Sequence, residues 1–265
     1  MLKRIMRLGL AAILLAAFLS AGAAQTPPVS GGAVDPALID ELVTAGRILA
    51  DQGVLDAYGH VSMRHPGNPN RYLLSRAMAP AIVTAADVME YDLDSNPVDQ
   101  RGRGMFLERS IHGEIYKARP DVNAIVHSHS PAVIPFGVTQ VPMKPVFHTA
   151  AFLHVGVPVW DISADAGVTD MLVRTATLGK SLAKALADKP VVLMRGHGNV
   201  VVGPTVKRAV IRAVYTEVNA RLQTTALGLG GPIRYISPEE GAARDRAPGE
   251  EARTWDMWKL KVTGK

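Results

Sequence analysis

Three short β-like runs crowd into residues 59–93, and their spacing limits the fold more than any other feature. Gly59–Arg64, Arg71–Ser75 and Val88–Leu93 are separated only by turns rich in Pro, Asn and Asp. A parallel crossover needs about a dozen residues or more, and a helical one longer still. These strands must therefore pair in a mixed, mainly antiparallel sheet. Helical patterns surround them and supply its cover, which makes the chain α/β. Asp35-Pro36 opens a helix with Leu38, Leu42, Ala45, Ile48 and Leu49 on one face, closed by Gly53. Leu107–Arg119 reads as a helix stopped by Pro120. Asp170–Asp188 and Pro204 to about Leu227 read as two longer helices. Ala124–His129 and Val157–Ile162 read as strands. Pro190–Val202 is apolar and β-branched apart from Arg195-Gly196-His197-Gly198-Asn199.

Residues 1–24 are set apart from this pattern. Lys3, Arg4 and Arg7 precede an apolar run from Leu8 to Leu19, and small residues follow at Ala21–Ala24. The run is about a dozen residues, short of the roughly 20 that span a bilayer. It reads as a cleaved export signal, with an uncleaved anchor as the alternative, and an exported, periplasmic location is expected. Residues 25–35, rich in Pro and Gly, read as a linker; 36–235 form one domain. The tail, 236–265, carries Trp255 and Trp258, which suggest docking on the domain or on a neighbouring subunit. Without the signal, 26 basic residues face 24 acidic ones, a net charge of +2. No basic block interleaved with aromatics is present, so a nucleic-acid partner is not indicated. No further apolar stretch is long enough for a membrane span. The chain has no cysteine, so any metal must be held by histidine and carboxylate.

His127-Ser128-His129 lies in the strand-like run. Residues i and i+2 of a strand project from one face, so both imidazoles can reach one ion. Taken alone, the pair is a weak signal and reads more readily as two hydrogen-bonded histidines. His197 sits between Gly196 and Gly198, a pattern that suits close backbone approach to a ligand or a plain hairpin turn. Three histidines with open positions is the pattern of a catalytic rather than a structural site. Glu108, at the start of a helix, could serve the helix dipole or move a proton at the metal. His112, one turn on, could be its partner. His148 and His154 suit hydrogen bonds in the core better than the site.

The ordered set Glu108, His112-Gly113-Glu114-Ile115-Tyr116, Arg119-Pro120-Asp121-Val122, His127-Ser128-His129 and Gly196-His197-Gly198 resembles the class II aldolase/adducin family. The similarity runs from about Leu38 to Gly228. It implies a three-layer α/β/α fold, a divalent metal, zinc or manganese, on His127, His129 and His197, Glu108 as the acid/base, and a homo-oligomer, a tetramer or larger. Where the sugar-phosphate members carry hydroxyls and an asparagine for phosphate, this sequence has Phe106, Leu107 and His60, and Arg76 follows Ser75. His60, Arg76 and Phe106 are therefore candidate substrate contacts, Arg76 as a carboxylate partner or as a solvated surface residue. The stretch Glu108–Val138 is especially similar to a branch that decarboxylates hydroxylated aromatic acids. The expected activity is a metal-dependent carbon–carbon lyase on a small molecule, decarboxylating a hydroxyaromatic acid through an enolate or phenolate. The alternatives are retro-aldol release of an aldehyde from a non-phosphorylated aldol and a non-catalytic adducin-like binding protein.

Overall fold

The computed structural model describes residues 26–246 and 251–264; the export signal expected at 1–24 lies outside the described residues. The chain runs α1 (Pro36–Asp51), β1 (His60–Arg64), β2 (Arg71–Ser75), β3 (Val88–Asp92), α2 (Ser110–Ala118), β4 (Ala124–Ser128) and α3 (Ile134–Val138). A 3-10 segment at His148–Val155 precedes β5 (Val159–Trp160) and α4 (Ile162–Ala166). Then come α5 (Ala176–Leu186), β6 (Val191–Met194), β7 (Gly198–Gly203), α6 (Val206–Leu229), α7 (Pro238–Arg246) and α8 (Glu251–Thr263).

The seven strands form one sheet in the order β3-β2-β1-β4-β7-β6-β5. Every neighbouring pair is antiparallel except β5 with β6. The close spacing of β1, β2 and β3 produces an antiparallel meander, as the short connections require. Side chains alternate between the two faces and build two separate cores. Val61, Met63, Leu73, Ala124, Val126, Leu193 and Val201 pack with α1, α6 and α8. Tyr72, Leu74, Met89, Tyr91, Ile125, Met194 and Val200 pack on the other face with α2 and α5. The result is three layers, α/β/α. Register decides which histidines share a face. His60 of β1 stands opposite His127 of β4, and both project toward the α2 side.

Several elements differ from their sequence-based bounds for local reasons. The helix read at Asp170–Asp188 begins only at Ala176, where Thr175 accepts a hydrogen bond from the Leu178 N–H as its N-cap. Residues 167–175 before it are irregular, with Met171 at φ +65°. The helix read from Leu107 begins at Ser110, because 107–109 form a turn. Of the strand read at Val157–Ile162 only Val159–Trp160 pairs, since Asp161 caps α4 through the Ser163 N–H. Residues 26–35 have no regular structure but are fastened to the sheet. Ser30 donates to Glu90, and Arg71 donates to the Val29 carbonyl.

In the tail, α8 lies against α1 and α6, and Trp255 and Trp258 are buried in the core on that side. The Trp258 ring sits 6.0 Å from that of Tyr215. A tryptophan buried in this way contributes chiefly through apolar area and packing. Trp258→Ala is therefore expected to destabilise the protein by about 3–5 kcal/mol. Denaturant unfolding of the variant checks this, and an unchanged midpoint would show that α8 does not support the core.

Candidate metal centre

Four side chains from three segments meet above the sheet face occupied by α2. His127 lies next to the end of β4, His129 just beyond that end, His197 in the β6–β7 turn, and Glu108 in the turn entering α2. One ligating atom from each falls within 4.8 Å of the others. Glu108 Oε2 lies 3.5 Å from Nε2 of His127 and 3.5 Å from Nε2 of His197. His129 Nε2 and His197 Nε2 are 3.0 Å apart. The HxH spacing thus acts as strand geometry dictates.

The turn at His197 depends on its two glycines. Gly196 has φ +64°, a conformation that favours glycine. A side chain at Gly198 would run into the Ser128 carbonyl, so only glycine lets the turn approach β4 this closely. The hairpin and ligand readings of Gly196-His197-Gly198 are therefore one structure.

The surroundings orient each ring. The Nδ1–H of His127 donates to the Asn199 carbonyl at 3.2 Å, and that of His197 to the Met171 carbonyl at 3.0 Å. Carbonyls only accept, so both rings carry their proton on Nδ1 and present a lone pair at Nε2. His127 Nε2 is buried and has no hydrogen-bond partner. An orphaned lone pair, two imidazole nitrogens in near contact and a carboxylate are a poor arrangement without a cation and a fitting one around it. The donor set of nitrogen and oxygen suits zinc and manganese alike.

Glu108 is held at both oxygens. Oε1 accepts the Val173 N–H at 2.9 Å, which turns Oε2 toward the histidines. Burial pushes its carboxyl up; hydrogen bonds and charge from His127 and His197, which act only when those rings carry a second proton on Nε2, more than offset this and pull it below the ordinary carboxylate value. Arg109 fixes the turn that carries it by donating to the Ser95 and Phe106 carbonyls. His129 is pushed down to about 4 by burial and by the neighbouring imidazoles of His127 and His197.

A cleft of about 580 Å³ opens on this cluster, lined by Tyr58, His60, Ala77, Met78, Met105, Phe106, Leu107, Glu108, His129 and Leu172 among others. Phe106 is in it, with its ring 4.5 Å from that of His60. His60 is in it too, but not as a cation. Burial, reinforced by His112 and His127, holds its imidazole well below its ordinary value. Arg76 does not line the cleft. The Ser75–Val88 pairing places it beside Asp87, and its Nε donates to that carboxylate at 2.6 Å. His112 partners His60 and Ser62 rather than Glu108. His148 is exposed rather than core, and His154 is half-buried against Gly241.

Met171, Val173 and Asn199 had no signal in the sequence as site residues. They act through backbone atoms, which carry no residue signature. Only the position of Asn199, directly after Gly198, could have drawn attention.

Residues 40–224 match the family model for the class II aldolase and adducin N-terminal domain. The decarboxylase tropJ of Talaromyces stipitatus is 34% identical over 244 residues, covering 83% of this chain and 92% of the relative. The 3,4-dihydroxyphthalate decarboxylase of Arthrobacter keyseri is 29% identical over 238 residues, covering 84% and 92%. Among solved structures, L-fuculose 1-phosphate aldolase from Glaciozyma antarctica matches with a TM-score of 0.70 at 23% identity, over 86% of this chain and 88% of that one, a likeness of fold. The family match spans well over half of the sequence, and this protein belongs to the class II aldolase and adducin family.

Proposed function

We propose that this lyase removes carbon dioxide from a hydroxyaromatic carboxylic acid, with a divalent metal on His127, His129 and His197 and with Glu108 as the acid/base. The observation that carries the reading is a cation-fitting cluster opening directly on an apolar cleft. The names of the decarboxylase relatives support it. Bound there, a divalent cation supplies a Lewis acid for the oxygen beside the scissile bond.

The chain's own residues do the rest. The Glu108 carboxylate takes the proton of the substrate hydroxyl and returns it to the ring carbon that bears the carboxylate. The carbon–carbon bond then breaks, carbon dioxide leaves, and the bond's electron pair restores the ring. The Val173 N–H keeps Oε1 fixed while Oε2 works. Phe106, Met78, Met105 and Leu172 offer an apolar wall to an aromatic ring and keep water from it. Among the described residues no lysine or arginine lines the cleft, and Glu108 is its one acidic residue. A phosphate dianion would lose water there without cationic partners.

We also infer that the chain forms a homo-oligomer. Tyr58, Leu107 and Val138 are exposed apolar residues, the first two lining the cleft and Val138 close to the Gly196 turn. Light scattering is expected to give a multiple of the single-chain mass.

Glu108→Gln keeps the size and removes the titrating group. Turnover should fall by about 100-fold or more while metal content stays unchanged. Full turnover in this variant would remove Glu108 from the chemistry. The metal-loaded protein should release carbon dioxide from an ortho-hydroxylated aromatic acid and leave fuculose and ribulose phosphates intact, as mass spectrometry of the products would show. Phe106→Ser should raise the KM for the acid by about 10- to 100-fold, through loss of about 1–3 kcal/mol of apolar contact. Efficient cleavage of a sugar phosphate would overturn the proposal.

A further inference from the structure

Behind the cleft runs a buried chain of hydrogen bonds that the chemistry above leaves unused. His60 Nδ1 lies 2.6 Å from His112 Nε2, His112 Nδ1 lies 2.6 Å from Ser62 Oγ, and Ser62 Oγ lies 2.8 Å from the Tyr116 hydroxyl. His112 and Ser62 are wholly buried, and Tyr116 is 1% and His60 4% exposed. The elements enforce this arrangement. His60 and Ser62 share one face of β1, while His112 and Tyr116 stand one turn apart on α2. Both rings are buried and no carboxylate joins the chain to balance a charge, so both are neutral. Burial raises the Tyr116 hydroxyl, which keeps its proton.

Two neutral imidazoles in contact through one nitrogen each must run their protons in the same direction along the chain. In one direction Tyr116 donates to Ser62, Ser62 to His112 Nδ1, and His112 Nε2–H to His60 Nδ1. Three protons then fill three contacts, and the His60 proton resides on Nε2. In the other direction His60 Nδ1–H donates to His112 Nε2, and His112 Nδ1–H to Ser62. The hydroxyl protons of Ser62 and Tyr116 then share the one contact left, so one buried hydroxyl lacks a protein acceptor. A buried donor without an acceptor is the costlier fault. Neither hydroxyl has another hydrogen-bond acceptor among the described residues.

We propose that this chain locks His60 as an Nε2–H donor into the cleft, which makes it a specificity-determining contact for a substrate oxygen that can only accept. His60 lines the cleft beside Phe106, and its Nε2 has no protein partner among the described residues. The ligand class is a carboxylate or carbonyl oxygen held next to an aromatic ring. His60 thus takes the part that Arg76, paired with Asp87, does not play. His112, Ser62 and Tyr116 are positioning residues that act through His60. The identity of the substrate group rests on the carboxy-lyase reading; the direction of the chain does not.

The test separates the two. Long-range ¹⁵N–¹H correlation spectra of the zinc-loaded, histidine-labelled protein report which ring nitrogen carries each proton, with no substrate present. Both His60 and His112 are expected as Nε2–H tautomers. An Nδ1–H tautomer at either ring, or a mixture, overturns the proposal whatever the enzyme acts on. His112→Leu removes the donor to His60 and should release its tautomer to a mixture. It should raise the KM for the aromatic acid by about tenfold, with kcat changed less and metal content unchanged. His112→Gln offers an amide donor near the place of Nε2 and should restore most of the KM. Equal KM values for the wild type and His112→Leu would remove His60's role in substrate choice. Spectra with the expected tautomers but no turnover of any hydroxyaromatic acid would instead count against the carboxy-lyase reading alone.

Discussion

The Glu108 carboxylate, buried between the imidazoles of His127 and His197, is the interaction on which the rest of the site depends. A carboxylate out of water is costly unless charge or donors surround it. Here the Val173 N–H takes one oxygen and two imidazoles face the other. With a cation among the three histidines, as proposed above, the burial of Glu108 becomes favourable. Without one, His127 Nε2 remains an orphan in the interior. The three histidines, the carboxylate and the irregular backbone around them are one electrostatic arrangement.

That arrangement explains why the chain breaks its own helical pattern before α5. The stretch 170–173 has helix-like composition, yet it serves the site with backbone groups. The Met171 carbonyl fixes the His197 ring, and the Val173 N–H fixes Glu108. Asp170 stabilises the turn by accepting from the Leu172 N–H and from Arg174. A helix through these residues would use those same groups within itself. Met171 at φ +65° is the local strain that accompanies this.

Much of this was legible in the sequence, for reasons that can be named. The crowding of Gly59–Leu93 forced antiparallel pairing, and alternation along Ala124–His129 placed His127 and His129 on one face. The glycines around His197 marked a close approach, which the Ser128 carbonyl explains. The ordered motifs carried the family and its layered fold. What stayed hidden depends on partners far apart in sequence. Arg76 looked free because Asp87, eleven residues away, becomes its neighbour only through the β2–β3 register. His60 was legible as a candidate contact, but its burial against His112 and His127 cannot be read from a strand pattern. His112 looked like a partner of Glu108 on helical spacing, whereas α2 turns it toward Ser62.

The central claim is that one divalent ion sits on His127, His129 and His197. X-ray absorption spectroscopy of the zinc-loaded protein tests it most directly, compared with His197→Ala. The account predicts one equivalent of metal with imidazole nitrogens at about 2.0–2.2 Å, three of them in the wild type. His197→Ala should lose one of the three and bind the metal more weakly. An imidazole shell that His197→Ala leaves unchanged, or protein that takes up no metal, would contradict it.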